Sequence, residues 1–143
     1  MQNIGALKDH IYDVVGSILN VHKELDPGLN EYCYQEALGL ELMSNGIEFK
    51  KEMSFHPKFK GIELESTYRV DFLCKGDIVV ECKSIIEVGN NNRAQLFNYM
   101  RLLGAPCGIL VNFYPYYAAV ERYFYDIETM DILTIEGKRF SMK

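Results

Sequence analysis

The stretch Tyr68-Arg69-Val70-Asp71-Phe72-Leu73-Cys74-Lys75-Gly76-Asp77-Ile78-Val79-Val80-Glu81-Cys82-Lys83 decides how this chain folds. Its two halves are rich in β-branched and other apolar side chains, and Lys75-Gly76-Asp77 between them has turn composition, so two antiparallel strands joined by a hairpin loop are expected. If those residues form the loop, Cys74 pairs with Ile78, and continuing the count places Asp71 opposite Glu81. Directly opposed residues point to one face of a sheet, and Lys83, the second residue beyond Glu81, points there too. The other face is then expected to carry Val70, Phe72, Cys74, Ile78, Val80 and Cys82, an apolar set suited to a core. A register slip of a single position would put the carboxylates on opposite faces.

Upstream, apolar residues recur at Ile11, Val14, Val15, Ile18, Leu19 and Leu25, one face of a helix broken by Asp26-Pro27-Gly28. A second helix is expected from the spacing of Tyr34, Leu38 and Leu42, stopping near Asn45-Gly46. Ile47 to Phe55 and Ile62 to Leu64 read as strands that, with the central pair, form an antiparallel meander. Downstream, Asn90 to Leu103 returns to helical spacing and is closed by Gly104 and Pro106; Gly108 to Phe113 suits a buried strand. Val120 to Tyr125 and Ile132 to Ile135 read as further strands. The order is helix, helix, antiparallel strands, helix, strand: a mixed α/β sandwich in which the segment from Glu81 to Val111 makes a right-handed crossover between parallel strands.

The 143 residues, 48% of them apolar, suffice for one domain with a sizeable core. The uncharged run Ala105 to Val120 contains Asn112, two prolines and several tyrosines, so no membrane span is expected. Lys8, Asp9 and His10 interrupt the first apolar residues, so no leader is read there and the cytoplasm is the expected compartment. Cys33, Cys74, Cys82 and Cys107 form no CxxC pair and read as buried free thiols. His10, His22 and His56 have no partner at metal spacing. A net charge of −5 argues against a surface that grips nucleic acid throughout, because such binding is driven by lysine and arginine. It is compatible with weak, salt-sensitive, metal-assisted binding.

Two carboxylates and an ammonium inside an otherwise apolar sheet are costly without a compensating partner. A hard divalent cation is such a partner: magnesium prefers oxygen ligands, takes one or two carboxylates, and leaves room for water and a phosphate. The backbone carbonyl of Cys82 lies between Glu81 and Lys83 and is a third candidate ligand. Lys83 could orient or help deprotonate an attacking water. Spacing alone is equally compatible with a solvated hairpin bearing an Asp/Glu/Lys ion pair. Glu31 sits at the end of the inward stripe of the second helix, either as a further acid of a site or as a first-turn residue favoured by the helix dipole. On the later helix Gln95 and Tyr99 share a face with Leu102, while Arg93, Phe97 and Arg101 form a second row. Gln95, Tyr99 and Arg93 are candidate substrate contacts; such a pair as Gln95 and Tyr99 is also common at an ordinary helix edge.

Asp71 followed by Glu81-Cys82-Lys83 resembles the D...(D/E)xK signature of the PD-(D/E)XK nuclease superfamily, with Val70 where the name has proline. Gln95-Leu96-Phe97-Asn98-Tyr99 resembles the QxxxY motif of its RecB-like branch, and Gly28-Leu29-Asn30-Glu31-Tyr32-Cys33-Tyr34 is similar to the motif of the GxxExxY family within it. The resemblance spans about residues 8 to 125. It implies a restriction-endonuclease-like αβββαβ core, Mg²⁺ or Mn²⁺ held by Asp71 and Glu81, and Lys83 as the catalytic lysine. It also implies Glu31 as an additional acid, and Gln95 and Tyr99 as groups that place substrate. DNA is the expected partner, with a homo-oligomer or larger assembly open. Two functions follow: a metal-dependent nuclease hydrolysing DNA phosphodiester bonds, or a catalytically silent binding module that keeps the fold. The complete Asp71/Glu81/Lys83 set favours the first; the acidic net charge favours the second.

Overall fold

The computed structural model describes residues 4–141. Two helices, α1 (Ile4–Glu24) and α2 (Glu31–Ser44), precede strands β1 (Phe49–Phe55), β2 (Lys58–Phe59), β3 (Ile62–Glu63), β4 (Tyr68–Cys74) and β5 (Ile78–Lys83). Helix α3 (Asn90–Leu103) follows, then β6 (Cys107–Asn112), β7 (Ala119–Asp126) and β8 (Asp131–Leu133). One mixed sheet has the order β1-β4-β5-β6-β7-β8. Among the described residues only β5 and β6 run parallel, joined across α3 as the crossover reading requires. Both C-terminal strands are present in this sheet. No helix among the described residues is long and apolar enough to cross a membrane.

Local chemistry accounts for the boundaries. Gly28, with φ of 88°, closes the turn after α1. Asn30 caps α2 by accepting from the Cys33 backbone N–H at 2.8 Å. Gly104 ends α3 in the left-handed conformation, with Pro106 just beyond. The hairpin loop Lys75-Gly76-Asp77 has left-handed residues at Lys75 and Gly76, and Cys74 pairs with Ile78 as the count requires.

Two apolar clusters cover the sheet. On one side α1 and α2 bury Val14, Ile18, Tyr34, Leu38 and Leu42 against Phe72, Val80, Ile109 and Phe113. On the other, α3 buries Leu96, Phe97, Tyr99 and Met100 against Val70, Val79 and Leu110. The result is three layers, with the parallel strands β5 and β6 in the middle and buried on both faces. Helix α3 approaches β6 so closely that a Cβ on Gly108 would lie 2.4 Å from Met100 Sδ and 3.1 Å from Leu96 Cδ1.

Four expectations are corrected. Ile62 to Leu64 does not join the main sheet: β3 pairs only with β2, in a separate hairpin turned at Lys60 and Gly61, both left-handed. Leu19 is half exposed, because the face of α1 turned to the sheet is set by Leu7, Val14, Ile18 and Val21. Cys33 is partly exposed, whereas the other three thiols are buried; all four are free. Val70 lies under α3 whereas Phe72 and Cys74 lie under α1 and α2, so the alternation of β4 breaks at Asp71. Strand β1 breaks opposite: Phe49 packs on the α1/α2 side, but Met53 and Phe55 pack on the α3 side. Between them Glu52 has φ of 53°, and the Glu52/Asp71 pair drops out of the ladder between Lys51↔Phe72 and Met53↔Val70. A left-handed residue rotates the strand out of its regular pleat, so residues on either side of it exchange faces.

Candidate active site

That break lies beside the carboxylates. The β4–β5 ladder runs Cys74↔Ile78, Leu73↔Val79, Phe72↔Val80 and stops. At the next position side chains replace backbone pairing. The Asp71 N–H donates to Glu81 Oε2 at 2.8 Å, and the Cys82 N–H donates to Asp71 Oδ2 at 2.8 Å. Each carboxylate is thereby oriented by the other's strand. Asp71 Oδ1 and Glu81 Oε1 make no protein hydrogen bond among the described residues.

Both acids are shifted upwards. Burial, with Glu81 only 4% exposed, pushes its carboxyl up to about 8; the adjacent Asp71 charge adds to the rise, while the Asp71 N–H and Lys83 oppose it. Asp71 is also raised, first by burial, against the pull of the Cys82 N–H, Lys83 and Arg69. Glu31 is raised by burial, partly offset by Lys83. Such a pair is short of positive charge, which a proton or a divalent cation would supply. Among the described residues no group of three or more His, Cys, Asp or Glu side chains is gathered at metal-binding distance. Asp71 and Glu81 supply two carboxylates, the number a magnesium-like ion takes when water and phosphate complete its shell.

Lys83 closes the site at the end of β5. Its Nζ lies 3.9 Å from Glu31 Oε1, and Gln35 Nε2 donates to Glu31 Oε2 at 3.3 Å. Glu31 is the first residue of α2, so the turn before that helix determines where its carboxylate meets Lys83. Tyr34 braces the turn: its hydroxyl donates to the Asp26 carbonyl at 2.5 Å and accepts from the Leu29 N–H at 3.2 Å. Its ring stacks on Phe113 at 4.5 Å between centroids. Ser84 Oγ ties the end of β5 to the same turn by donating to the Leu29 carbonyl at 2.6 Å.

From the opposite layer, α3 brings Tyr99 towards the carboxylates. Burial raises its phenol, and the charges of Glu81 and Asp71 add to the rise, while a hydrogen bond from Gln95 acts against it. The Tyr99 ring is wedged edge-on against Phe55 and Tyr68, at 5.8 and 6.1 Å between centroids. Gln95 is exposed one turn earlier. Arg93 is already engaged: Nε and Nη2 form a fork on Glu121 at 2.7 and 2.8 Å, and Nη1 donates to Asn90 Oδ1 at 2.8 Å.

Sequence reasoning missed Asn112. It is 3% exposed, donates to the Ile85 carbonyl at 2.8 Å and accepts from the Ile85 N–H at 3.1 Å. It thus clamps the segment leaving Lys83 towards α3. Its signal was present: an amide in a buried apolar strand must find partners for both ends.

A sequence profile of the PD-(D/E)XK nuclease superfamily matches residues 8–123, a span that contains all of these side chains. Among solved structures, the crystal structure of SSO0001 is similar with a TM-score of 0.51 and 22% identity, over 68% of this chain and 52% of that one. The chain thus spans about half the length of that structure, and the likeness is one of fold. No curated protein sequence matches.

Proposed function

The chain belongs to the PD-(D/E)XK nuclease superfamily, and on that premise we propose that it hydrolyses DNA phosphodiester bonds in the cytoplasm, using Mg²⁺ or Mn²⁺ held by Asp71, Glu81 and the Cys82 carbonyl. The observation that carries this reading is the interrupted ladder, where two carboxylates are fixed by reciprocal backbone hydrogen bonds, each leaving one oxygen free. When bound, the ion polarises the phosphodiester and lowers the pKa of an attacking water. Lys83 places a compact ammonium beside the reacting phosphate, and Glu31 holds that ammonium until substrate arrives. Gln95 and Tyr99 offer an amide and a phenol to the substrate. Arg93 would reach a phosphate only in competition with Glu121.

The test is cleavage of end-labelled single- and double-stranded DNA with Mg²⁺, Mn²⁺ or EDTA, in wild type and Asp71→Ala. Hydrolysis lost with EDTA and in the variant is expected. Hydrolysis that survives Asp71→Ala sinks the assignment, and DNA binding without turnover would favour the silent module.

A further inference from the structure

The β2–β3 hairpin stands outside the main sheet, yet it carries large apolar side chains in the open: Phe59 is 61% and Ile62 68% exposed. Between this arm and α3 runs a groove of about 700 Å³. Leu64 lines it from the arm, Tyr68 from the start of β4, and Gln95, Tyr99 and Leu102 from α3. Leu64, Tyr68 and Leu102 are 40%, 44% and 46% exposed and contribute apolar surface to its lining. The groove leads towards the site, because Tyr99 lies in its wall with its ring against Tyr68, the first residue of the strand that carries Asp71.

Its charge is opposite to that of the whole chain. The protein has 20 acidic and 15 basic residues, but the groove is lined by one cation, Arg101, and by no carboxylate. It therefore suits an occupant that is anionic along its backbone and apolar on its faces. We propose that the groove holds a single-stranded nucleic acid, its bases against Leu64, Tyr68 and Leu102 and its backbone led past Gln95 and Tyr99 to the carboxylates. This inference rests on the nuclease reading of the site and specifies its substrate class. A duplex keeps its base faces stacked on one another and cannot cover these side chains, whereas an unpaired strand presents a π-face at every nucleotide. Contact through base faces would add to the attraction of the single cation, Arg101, since stacking does not depend on releasing counterions.

The experiment measures anisotropy of a fluorescein-labelled strand of about twelve nucleotides, alone or annealed to its complement, with the full chain in EDTA so that no metal-dependent cleavage consumes the probe. The single strand should bind at least tenfold more tightly than the duplex, and Leu64→Glu or Leu102→Glu should weaken it by about tenfold or more, as loss of a stacked base does. Both positions are exposed, so thermal melting should be unchanged and should confirm folding. Equal affinity for strand and duplex, no binding of the strand, or unaltered affinity in both folded variants would overturn the proposal. The two readings fail separately. If the variants lose the strand but wild type never cuts DNA in Mg²⁺, the groove stands and the nuclease reading falls. If wild type cuts in an Asp71-dependent way while the groove variants bind and cut as it does, the reverse holds.

Discussion

At the scale of single residues, Asp71, Glu81 and Lys83 have separable tasks. Calorimetry should detect Mn²⁺ binding to wild type and none to Asp71→Ala, because that change removes a free oxygen and the acceptor that orients the Cys82 N–H. Lys83→Ala should keep or strengthen Mn²⁺ binding, since a competing cation has gone, while cleavage falls about a hundredfold or more, typical of losing an electrostatic catalytic group. Lys83→Arg should restore little, because a planar fork does not replace a point charge. If Lys83→Ala cuts as fast as wild type, the lysine is a structural partner of Glu31 and nothing more. Gln95→Ala should weaken DNA cleavage with Mn²⁺ affinity nearly unchanged, as an amide is a poor magnesium ligand and a good substrate partner. A parallel loss of metal binding would assign Gln95 to the metal.

At the scale of elements, the site depends on how closely helices approach the sheet. Gly108 lets α3 settle on β6, and this contact positions Tyr99. Gly108→Ala should cost about 1–3 kcal/mol, the range for overpacking a filled core, because Met100 and Leu96 must move together. Denaturant melts will report it, and an unchanged midpoint would mean that Met100 simply swings aside. On the other layer, Tyr34 and Ser84 fasten the turn before α2 to its surroundings, so the distance between Glu31 and Lys83 is an outcome of that bracing.

For the whole molecule, electrostatics shape the pH response. The Arg93 fork on Glu121, joined by the Tyr123 hydroxyl, lowers the Glu121 carboxyl below its usual 4.5. A group with a depressed folded pKa adds stability that is complete above its unfolded value and disappears as pH falls through the folded value. Wild type should therefore melt higher than Glu121→Gln at neutral pH, and the gap should begin to narrow below about 4.5 and close as pH falls through the lower folded value. A gap that stays constant across that range would show that the pair contributes shape and not charge.

Much of this was determined by the sequence alone. The hairpin loop at Lys75-Gly76-Asp77, the pairing of Cys74 with Ile78, the α3 boundaries and the mixed sheet follow from turn chemistry, pleat period and helical spacing, all of them local. Tertiary structure decided the rest. The exchange of faces at Asp71 needs the left-handed Glu52 on a neighbouring strand, which period counting on β4 cannot see. The β2–β3 arm left the sheet because its short strands make no backbone pairing beyond each other, and so a groove appears where a meander was expected. Arg93 became a partner of Glu121 only when β7 was brought beneath the start of α3. Local pattern assigns a side chain to a face, but which charge or ring meets it there depends on contacts between segments far apart in the chain.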